Sequence, residues 1–335
     1  MLKVTLGKTG ITVNKNGFGA LPIQRISKEE AAKLLRKAYD NGVRYFDTAR
    51  AYSDSEEKIG YALSTVRHDL YIASKTTAQT GEALAQDLDT SLKMLQTDYI
   101  DVYQFHNPDF VPQPGGADGL YDAALAAQAA GKIRFISITN HRFTLAREAI
   151  ASGLYATLQF PFSYLASPEE FKLVELCREA EMGFVAMKGL SGGLITNSAA
   201  AYAFAAQYDN VLPIWGVQRE HELDEFLSYQ EQAPVLNAEL QAVIAKDQNE
   251  LIGNFCRGCG YCLPCPAGIF IPLAARMSLM LRRAPVEANT TPEIQQMMKR
   301  IENCVHCNHC KNNCPYGLDT PELLKANYED FKTFL

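Results

Sequence analysis

RYFDTARAYSDSEEK, residues 44–58, decides how the chain folds. Val43, Tyr45 and Phe46 form a β-branched and aromatic run that reads as a short buried strand. The run ends in Asp47, and Tyr52 follows five residues later in a loop of small side chains. Ser55 reads as the cap of the next helix, with Glu56 and Glu57 in its acidic first turn. A strand that delivers a carboxylate to its C-terminal end, with a phenol on the following loop, is how a barrel enzyme presents its chemistry. Moving outward, LYIASK (70–75) is a strand ending in Lys75, and YIDVYQFH (99–106) is a strand ending in His106. Each feature alone is ordinary, since an aspartate after a strand often forms a turn and a lysine there is often solvated. Four such side chains at three successive strand ends converge on one mouth if the strands are parallel neighbours.

The remaining pattern supplies those neighbours. Strand candidates lie at 17–20, 43–47, 69–74, 99–104, 133–138, 157–160, 183–187 and 211–214. Amphipathic helices alternate with them: Ser27 caps KEEAAKLLRKAYDNG, which Gly42 stops, and GEALAQDLDTSLKML and GLYDAALAAQAAG follow. Strands alternating with helices give right-handed βαβ units and a parallel sheet. Eight units predict a closed (β/α)₈ TIM-type barrel, an α/β fold. Residues 4–17 read as a preceding hairpin that turns at Gly7 to Gly10.

In order and spacing, GFGALP (17–22), NGVRYFDTARAYSDSE (41–56), the Ser74–Lys75 pair and the strand-ending His106 resemble the aldo-keto reductases. The resemblance covers roughly residues 1–230. It implies the barrel, a hairpin plugging its bottom, and a catalytic tetrad of Asp47, Tyr52, Lys75 and His106. The implied chemistry is reversible hydride transfer between a nicotinamide, NAD(H) or NADP(H), and a carbonyl. It also implies cofactor contacts: Gly19 at the first strand end, and Thr139, Asn140 and Gln159 around the carboxamide. Lys188, Gly189, Leu190 and Gly192 would cover the pyrophosphate, and Gly216, Arg219 and Glu225 would hold the adenosine side. Two positions depart from the family pattern, with Glu222 where arginine is common and Phe226 where asparagine is common. A carboxylate beside a 2′-phosphate is unfavourable, although Arg219 and Lys188 can compensate.

The third organising feature is cysteine. Eight of the nine cysteines crowd into residues 256–314. CRGCGYCLPCP contributes Cys256, Cys259, Cys262 and Cys265, and CVHCNHCKNNCP contributes Cys304, Cys307, Cys310 and Cys314. The second run is C-x₂-C-x₂-C-x₃-C-P, the bacterial ferredoxin spacing for [4Fe–4S] ligation, in which the fourth cysteine serves the other cluster. That rule groups Cys256, Cys259, Cys262 and Cys314, and separately Cys304, Cys307, Cys310 and Cys265. The first run is one residue short before Cys265. Zinc is the alternative, because paired C-x-x-C runs also build tetrahedral sites. His306 and His309 read as solvated loop residues and Cys177 as a core residue. Between the runs, PLAARMSLMLRRA and TPEIQQMMKRIE are helical patterns that cover the clusters. The expected organisation is therefore a barrel at 1–230, a helical linker at 231–250 and a small α-helical dicluster ferredoxin-like module at 251–335.

A net charge of −6 with no basic cluster argues against nucleic acid as a partner. No run approaches the ~20 apolar residues of a membrane span. The opening MLKVTLGKTGITV has no secretory signal pattern, which points to the cytoplasm. The combination predicts an oxidoreductase that interconverts a carbonyl and an alcohol, with two [4Fe–4S] clusters linking it to one-electron transfer, for example with a ferredoxin-like protein. Two alternatives stay open: clusters that only brace the fold, and a cluster-driven enzyme that does not use nicotinamide.

Overall fold

The computed structural model describes residues 1–251, 255–283 and 285–335. Residues 252–254, at the expected head of the cysteine module, and Ala284, which closes its first helical pattern, lie outside the described residues. The chain divides into two compact units, Met1–Gly189 with Asn197–Ile244, and Leu190–Thr196 with Ala245–Leu335.

The first unit opens with an antiparallel hairpin, β1 (Lys3–Thr5) and β2 (Thr12–Asn14). Eight parallel strands follow: β3 (Gly17–Gly19), β4 (Tyr45–Asp47), β5 (Tyr71–Thr76), β6 (Ile100–His106), β7 (Ile133–Thr139), β8 (Thr157–Pro161), β9 (Gly183–Met187) and β10 (Val211–Gly216). They close in the order β10-β3-β4-β5-β6-β7-β8-β9, the expected (β/α)₈ barrel. Its helices are α1 (Lys28–Asp40), α2 (Ser55–Leu63), α3 (Gly81–Leu95), α4 (Leu120–Ala129), α5 (Phe143–Ser152), α6 (Pro168–Glu179), α7 (Ser198–Ala206) and α8 (Glu220–Glu231). Ser27 caps α1 in a reciprocal capping box with Glu30, satisfying two amides that the first turn would otherwise leave unpaired.

Val4, Leu6, Ile11 and Val13 of the hairpin segment pack with Tyr45, Ala73, Val102, Val185, Leu212 and Ile214 of the barrel strands in one buried cluster. Side chains alternate along a strand, so the residues two positions on from Tyr45 and Ala73 share their face and stand nearer the C-terminal end. Those residues are Asp47 and Lys75. The apolar plug thus fills the N-terminal half of the barrel interior and leaves the other half to polar groups.

Three local expectations change. Ser55 is the first residue of α2 rather than its cap, and its hydroxyl donates to Ala20 O (3.0 Å) and pairs with Thr48 Oγ1 (2.8 Å). Its burial between two strand-end loops outweighs capping. The 231–250 stretch is broken, since 232–237 carry no regular element before α9 (Ala238–Leu251). The first inter-cysteine pattern splits into α10 (Ile271–Ala274) and α11 (Met277–Arg283).

The second unit continues with α12 (Val286–Asn289), α13 (Pro292–Lys299), α14 (His309–Asn312) and α15 (Thr320–Lys332). Its core joins Ile269, Ile271, Met277, Leu281, Met298, Ile301, Leu318, Leu324 and Phe331 with Cys256, Cys262 and Cys310. Among the described residues no helix is long and apolar enough to cross a membrane.

Candidate functional site

Ladder pairing sets the site. Asp47 lies opposite Ala73, Lys75 opposite Gln104, and His106 opposite Thr139, so adjacent strands bring these residues to one end of the barrel. Lys75 and Asp47 are 1% and 3% exposed, and the ammonium reaches Asp47 Oδ1 at 2.6 Å. Lys75 Nζ also donates to Thr48 O at 2.6 Å. Two charges this deep are tolerable only when paired and hydrogen-bonded. The loop after β4 runs beside β5, with Arg50 N donating to Lys75 O (2.9 Å) and Tyr52 N to Ala49 O (3.0 Å). It brings the half-buried Tyr52 over the pair, with the Lys75 ammonium 5.2 Å from its ring centre. Tyr52 and His106 meet edge to face, with ring centres 5.7 Å apart at 80°. The structure therefore brings all four sequence-predicted residues together.

Electrostatics refines the roles. Burial raises the Tyr52 pKa above that of a free phenol; Lys75 acts in the opposite direction and Asp47 adds a smaller increase. Burial, then Lys75, lowers the His106 pKa from 6.5 to about 3. His106 Nδ1 is buried with no hydrogen-bond partner among the described residues. An unpaired acceptor costs less there than an unpaired N–H, which favours the tautomer with its proton on Nε2.

Sequence reasoning missed two supports. Gln104 Nε2 donates to Asp47 Oδ2 at 3.3 Å, and its position two residues before His106 on one strand was the available signal. Glu56, read as a first-turn acid, is 1% exposed; it accepts from Ser74 Oγ at 2.6 Å and pairs with Arg50. Nothing in the local pattern marks it as buried.

The predicted nucleotide contacts divide. Gly19 and Thr139 end their strands and Gln159 lies within β8 opposite Thr139; Gln159 Oε1 is buried without a hydrogen-bond partner among the described residues, an acceptor suited to a carboxamide NH₂. Asn140 is largely committed: Nδ2 donates to Pro108 O (2.9 Å), while Oδ1 accepts from the amides of His141 (2.9 Å) and Arg142 (2.7 Å). One amide N–H remains for a ligand, because a local turn takes the side-chain carbonyl and Pro108 O takes the other N–H. Lys188 has a positive φ of 58°, and a Cβ on Gly189 would lie 2.5 Å from the Trp215 ring, so that backbone approach needs glycine. Gly216 ends β10 exposed, and Arg219 is exposed before α8. Glu225 accepts from Ser198 Oγ (2.5 Å) and the Tyr229 hydroxyl (3.1 Å), so its carboxylate is not idle. Phe226 stacks on Trp215 at 4.4 Å, and Glu222 accepts from the amides of Gln218 and Arg219, each at 2.9 Å. Leu190 and Gly192 belong to the second unit.

In that unit the cysteines line two cavities. Cys256, Cys259, Cys262, Cys310 and Cys314 line one, with Ile271 and Leu318; Cys262, Cys265, Cys304, Cys307 and Cys310 line the other, with Ile269, Val305 and Leu324. Each cavity meets three thiols of one run and the last cysteine of the other, and Cys262 and Cys310 border both. Burial pushes the Cys262 thiol up to about 12, with Cys256 and Cys259 adding to the effect. Such a thiol ionises readily only when cationic metal balances it. Among the described residues no three His, Cys, Asp or Glu side chains close on a single-ion position; the thiols surround cavities instead. His306 and His309 are exposed, and Cys177 is fully buried in α6.

The His106 assignment has a direct check. An unfolded chain protonates this imidazole near 6.5, whereas the folded one resists to about 3, so acidification through that window removes stability. Ring-nitrogen NMR should find His106 neutral at pH 5. An imidazolium at His106 at pH 5 would overturn the assignment.

Residues 15–201 match the aldo/keto reductase family and residues 255–319 match the 4Fe-4S dicluster domain. An uncharacterized oxidoreductase, YqkF of Bacillus subtilis, is 26% identical over 225 residues, 63% of this chain and 72% of its own length. L-galactose dehydrogenase of Arabidopsis thaliana is 27% identical over 214 residues, 57% of this chain and 66% of its own. The chain thus spans about two thirds to three quarters of these relatives. Among solved structures, the holo form of aldo-keto reductase AKR11C1 from Bacillus halodurans superposes with a TM-score of 0.65 at 21% identity, covering 74% of this chain and 96% of that one. A Klebsiella pneumoniae aldo-keto reductase in complex with NADPH gives 0.63 at 22%, covering 73% and 95%. At these identities both likenesses speak for the fold. The match at 15–201 takes in more than half of the 335 residues. The chain belongs to the aldo/keto reductase family, and it is an oxidoreductase that carries a 4Fe-4S dicluster domain.

Proposed function

We propose that the chain interconverts a small carbonyl compound and its alcohol at Asp47, Tyr52, Lys75 and His106, using NAD(P)(H), and exchanges single electrons through two [4Fe–4S] clusters. The observation that carries the catalytic reading is the buried Lys75–Asp47 pair, 2.6 Å long, beneath a phenol that faces an imidazole. Bound nicotinamide supplies the hydride. Tyr52 gives the proton to the developing alkoxide; its raised pKa keeps it protonated, and the positive Lys75 stabilises the phenolate left behind. Asp47, held by Gln104, fixes that ammonium. Neutral His106 donates from Nε2 to the carbonyl oxygen and sets its angle. Gln159 Oε1 supports a carboxamide contact, while Asn140 has less to offer than the family resemblance implied.

The crossed cavities support Cys256, Cys259, Cys262 and Cys314 as one ligand set and Cys265, Cys304, Cys307 and Cys310 as the other. Apolar linings keep solvent from such clusters and tune their potentials. Each cluster when assembled takes or gives one electron. Cys307 is exposed and the other seven are not, which favours its side for exchange with a ferredoxin-like protein.

A second reading, reduction driven by the clusters without nicotinamide, is favoured by the internal engagement of Asn140 and Glu225. Anaerobic turnover by reduced viologen in the absence of nucleotide would select it.

Tyr52→Phe should lower kcat at least 100-fold, the usual worth of a positioned proton donor, while nucleotide binding by fluorescence titration persists. Retention of a large part of kcat would remove Tyr52 from the chemistry. Anaerobic iron analysis should return about eight irons per chain, and Cys265→Ala should reduce that number. A count near four leaves one cavity without a cluster, and stoichiometric zinc refutes both. Glu222 already places negative charge on the amides of Gln218 and Arg219 just ahead of α8, so NADH should bind more tightly than NADPH. Glu222→Gln should narrow the difference roughly three- to tenfold, as a screened like-charge contact requires. An unchanged ratio would separate Glu222 from the 2′-position.

A further inference from the structure

The second unit contains a segment that the linear order assigns to the barrel. Residues 190–196 directly follow Gly189 and directly precede the residue that caps α7, yet they cluster with Ala245–Leu335. Two arginines at the ends of α11 hold them. Arg276 Nη1 donates to Gly192 O at 2.8 Å, and Arg283 Nη1 donates to Leu194 O at 2.8 Å. Arg283 is anchored by Asp247 and Glu250, each at 2.8 Å.

Arg276 is anchored differently. Its Nε donates to Pro272 O at 2.8 Å, and its guanidinium lies against Gly258, where a Cβ would come within 3.2 Å of Cζ. Gly258 is in the first cysteine run, and its amide donates to Cys256 Sγ at 3.4 Å. A Cβ on Gly192 would sit 2.6 Å from Arg276 Nη1. The guanidinium is therefore clamped between two glycines of positive φ, 69° at Gly192 and 65° at Gly258. One side faces the Cys256 loop and the other holds the 190–196 segment. Attraction between Arg276 and Cys256 offsets part of the desolvation of each.

We infer that Arg276 is a positioning residue that couples the redox state of the Cys256-side cluster to the conformation of residues 190–196. The inference rests on the cluster reading above. One electron from a donor such as dithionite adds one unit of negative charge to the cluster, with no bond to the protein made or broken. The partly desolvated guanidinium feels that charge in a medium of low dielectric. A guanidinium drawn toward the Cys256 loop holds Gly192 O less well, because the Nη1 that donates to it moves with the rigid planar group. The coupling is reciprocal, so whatever binds residues 190–196 shifts the potential of that cluster by the same free energy.

Hydrogen exchange reads the coupling without turnover or nucleotide. The amides of Gly193 and Ile195 both donate to Leu190 O, at 2.9 and 3.2 Å, and report the closed segment. In anaerobic wild-type protein their exchange should rise at least threefold when dithionite reduces the clusters. In Arg276→Gln it should be fast and equal in the two states. Arg283→Gln should quicken exchange in both states yet keep the wild-type ratio, separating coupling from loosening. Arg276→Lys, which keeps the charge and loses the fork, should keep part of the ratio. A wild-type ratio of one overturns the proposal, and so does an undiminished ratio in Arg276→Gln. If Arg276→Gln loses its iron, the wild-type ratio and the Lys variant decide: an undiminished ratio in Arg276→Lys shows that the fork does not link the two sites. Failure of NADH and NADPH to bind, with the exchange ratio intact, would remove the nucleotide reading and leave the coupling standing.

Discussion

The Lys75–Asp47 pair is the constraint on which the polar end of the barrel interior depends. Both groups are almost fully buried, and neither is tolerable alone, since removing one partner of such a pair typically costs about 3–5 kcal/mol. The pair therefore demands its surroundings. Thr48 O and Gln104 take up remaining hydrogen-bonding capacity, and the loop that supplies Thr48 goes on to carry Tyr52. Its register is held by the Arg50 amide on Lys75 O. Behind it, Glu56, Ser74 and Arg50 form a second buried network that ties the start of α2 to β5.

That arrangement explains a combination of pKa shifts that would otherwise look contradictory. One positive charge makes both neighbouring rings easier to deprotonate, drawing tyrosine toward phenolate and keeping histidine neutral, while burial opposes charge on each. Burial and Lys75 therefore act together on His106 and against one another on Tyr52. The result is a phenol that keeps its proton and an imidazole that donates without carrying charge. Both states are those that the proposed carbonyl chemistry requires.

Polar residues around a ligand site also have internal work to do, and here it changes what they can offer. Asn140 spends its side-chain carbonyl on the turn before α5 and one N–H on Pro108 O, and Glu225 is shared by Ser198 and Tyr229. Gln159 keeps its carbonyl in reserve. In the second unit, burial makes the Cys256, Cys262 and Cys310 thiols reluctant to ionise, so placing them around two cavities gains its chemical sense from metal charge.

Much of this was legible in the sequence because it depends on local rules. Alternation of strand and helix predicted eight units, and the ends of three strands announced Asp47, Lys75 and His106, since side-chain direction along a strand follows from position. The spacing of the two cysteine runs anticipated the crossed lining of the cavities, because it follows the ferredoxin rule in which the fourth cysteine serves the other cluster. Burial and partners, in contrast, came only with tertiary structure. Ser55 looked like a cap and became a strut between loops, and Glu56 looked like a dipole charge and became a buried anchor. Residues 190–196 read as a barrel loop and cluster instead with the cysteine unit through Arg276 and Arg283. The physical reason is the same in each case. A sequence fixes which groups a residue carries and which way the backbone aims them, but desolvation and pairing depend on what distant segments bring to the same few ångströms.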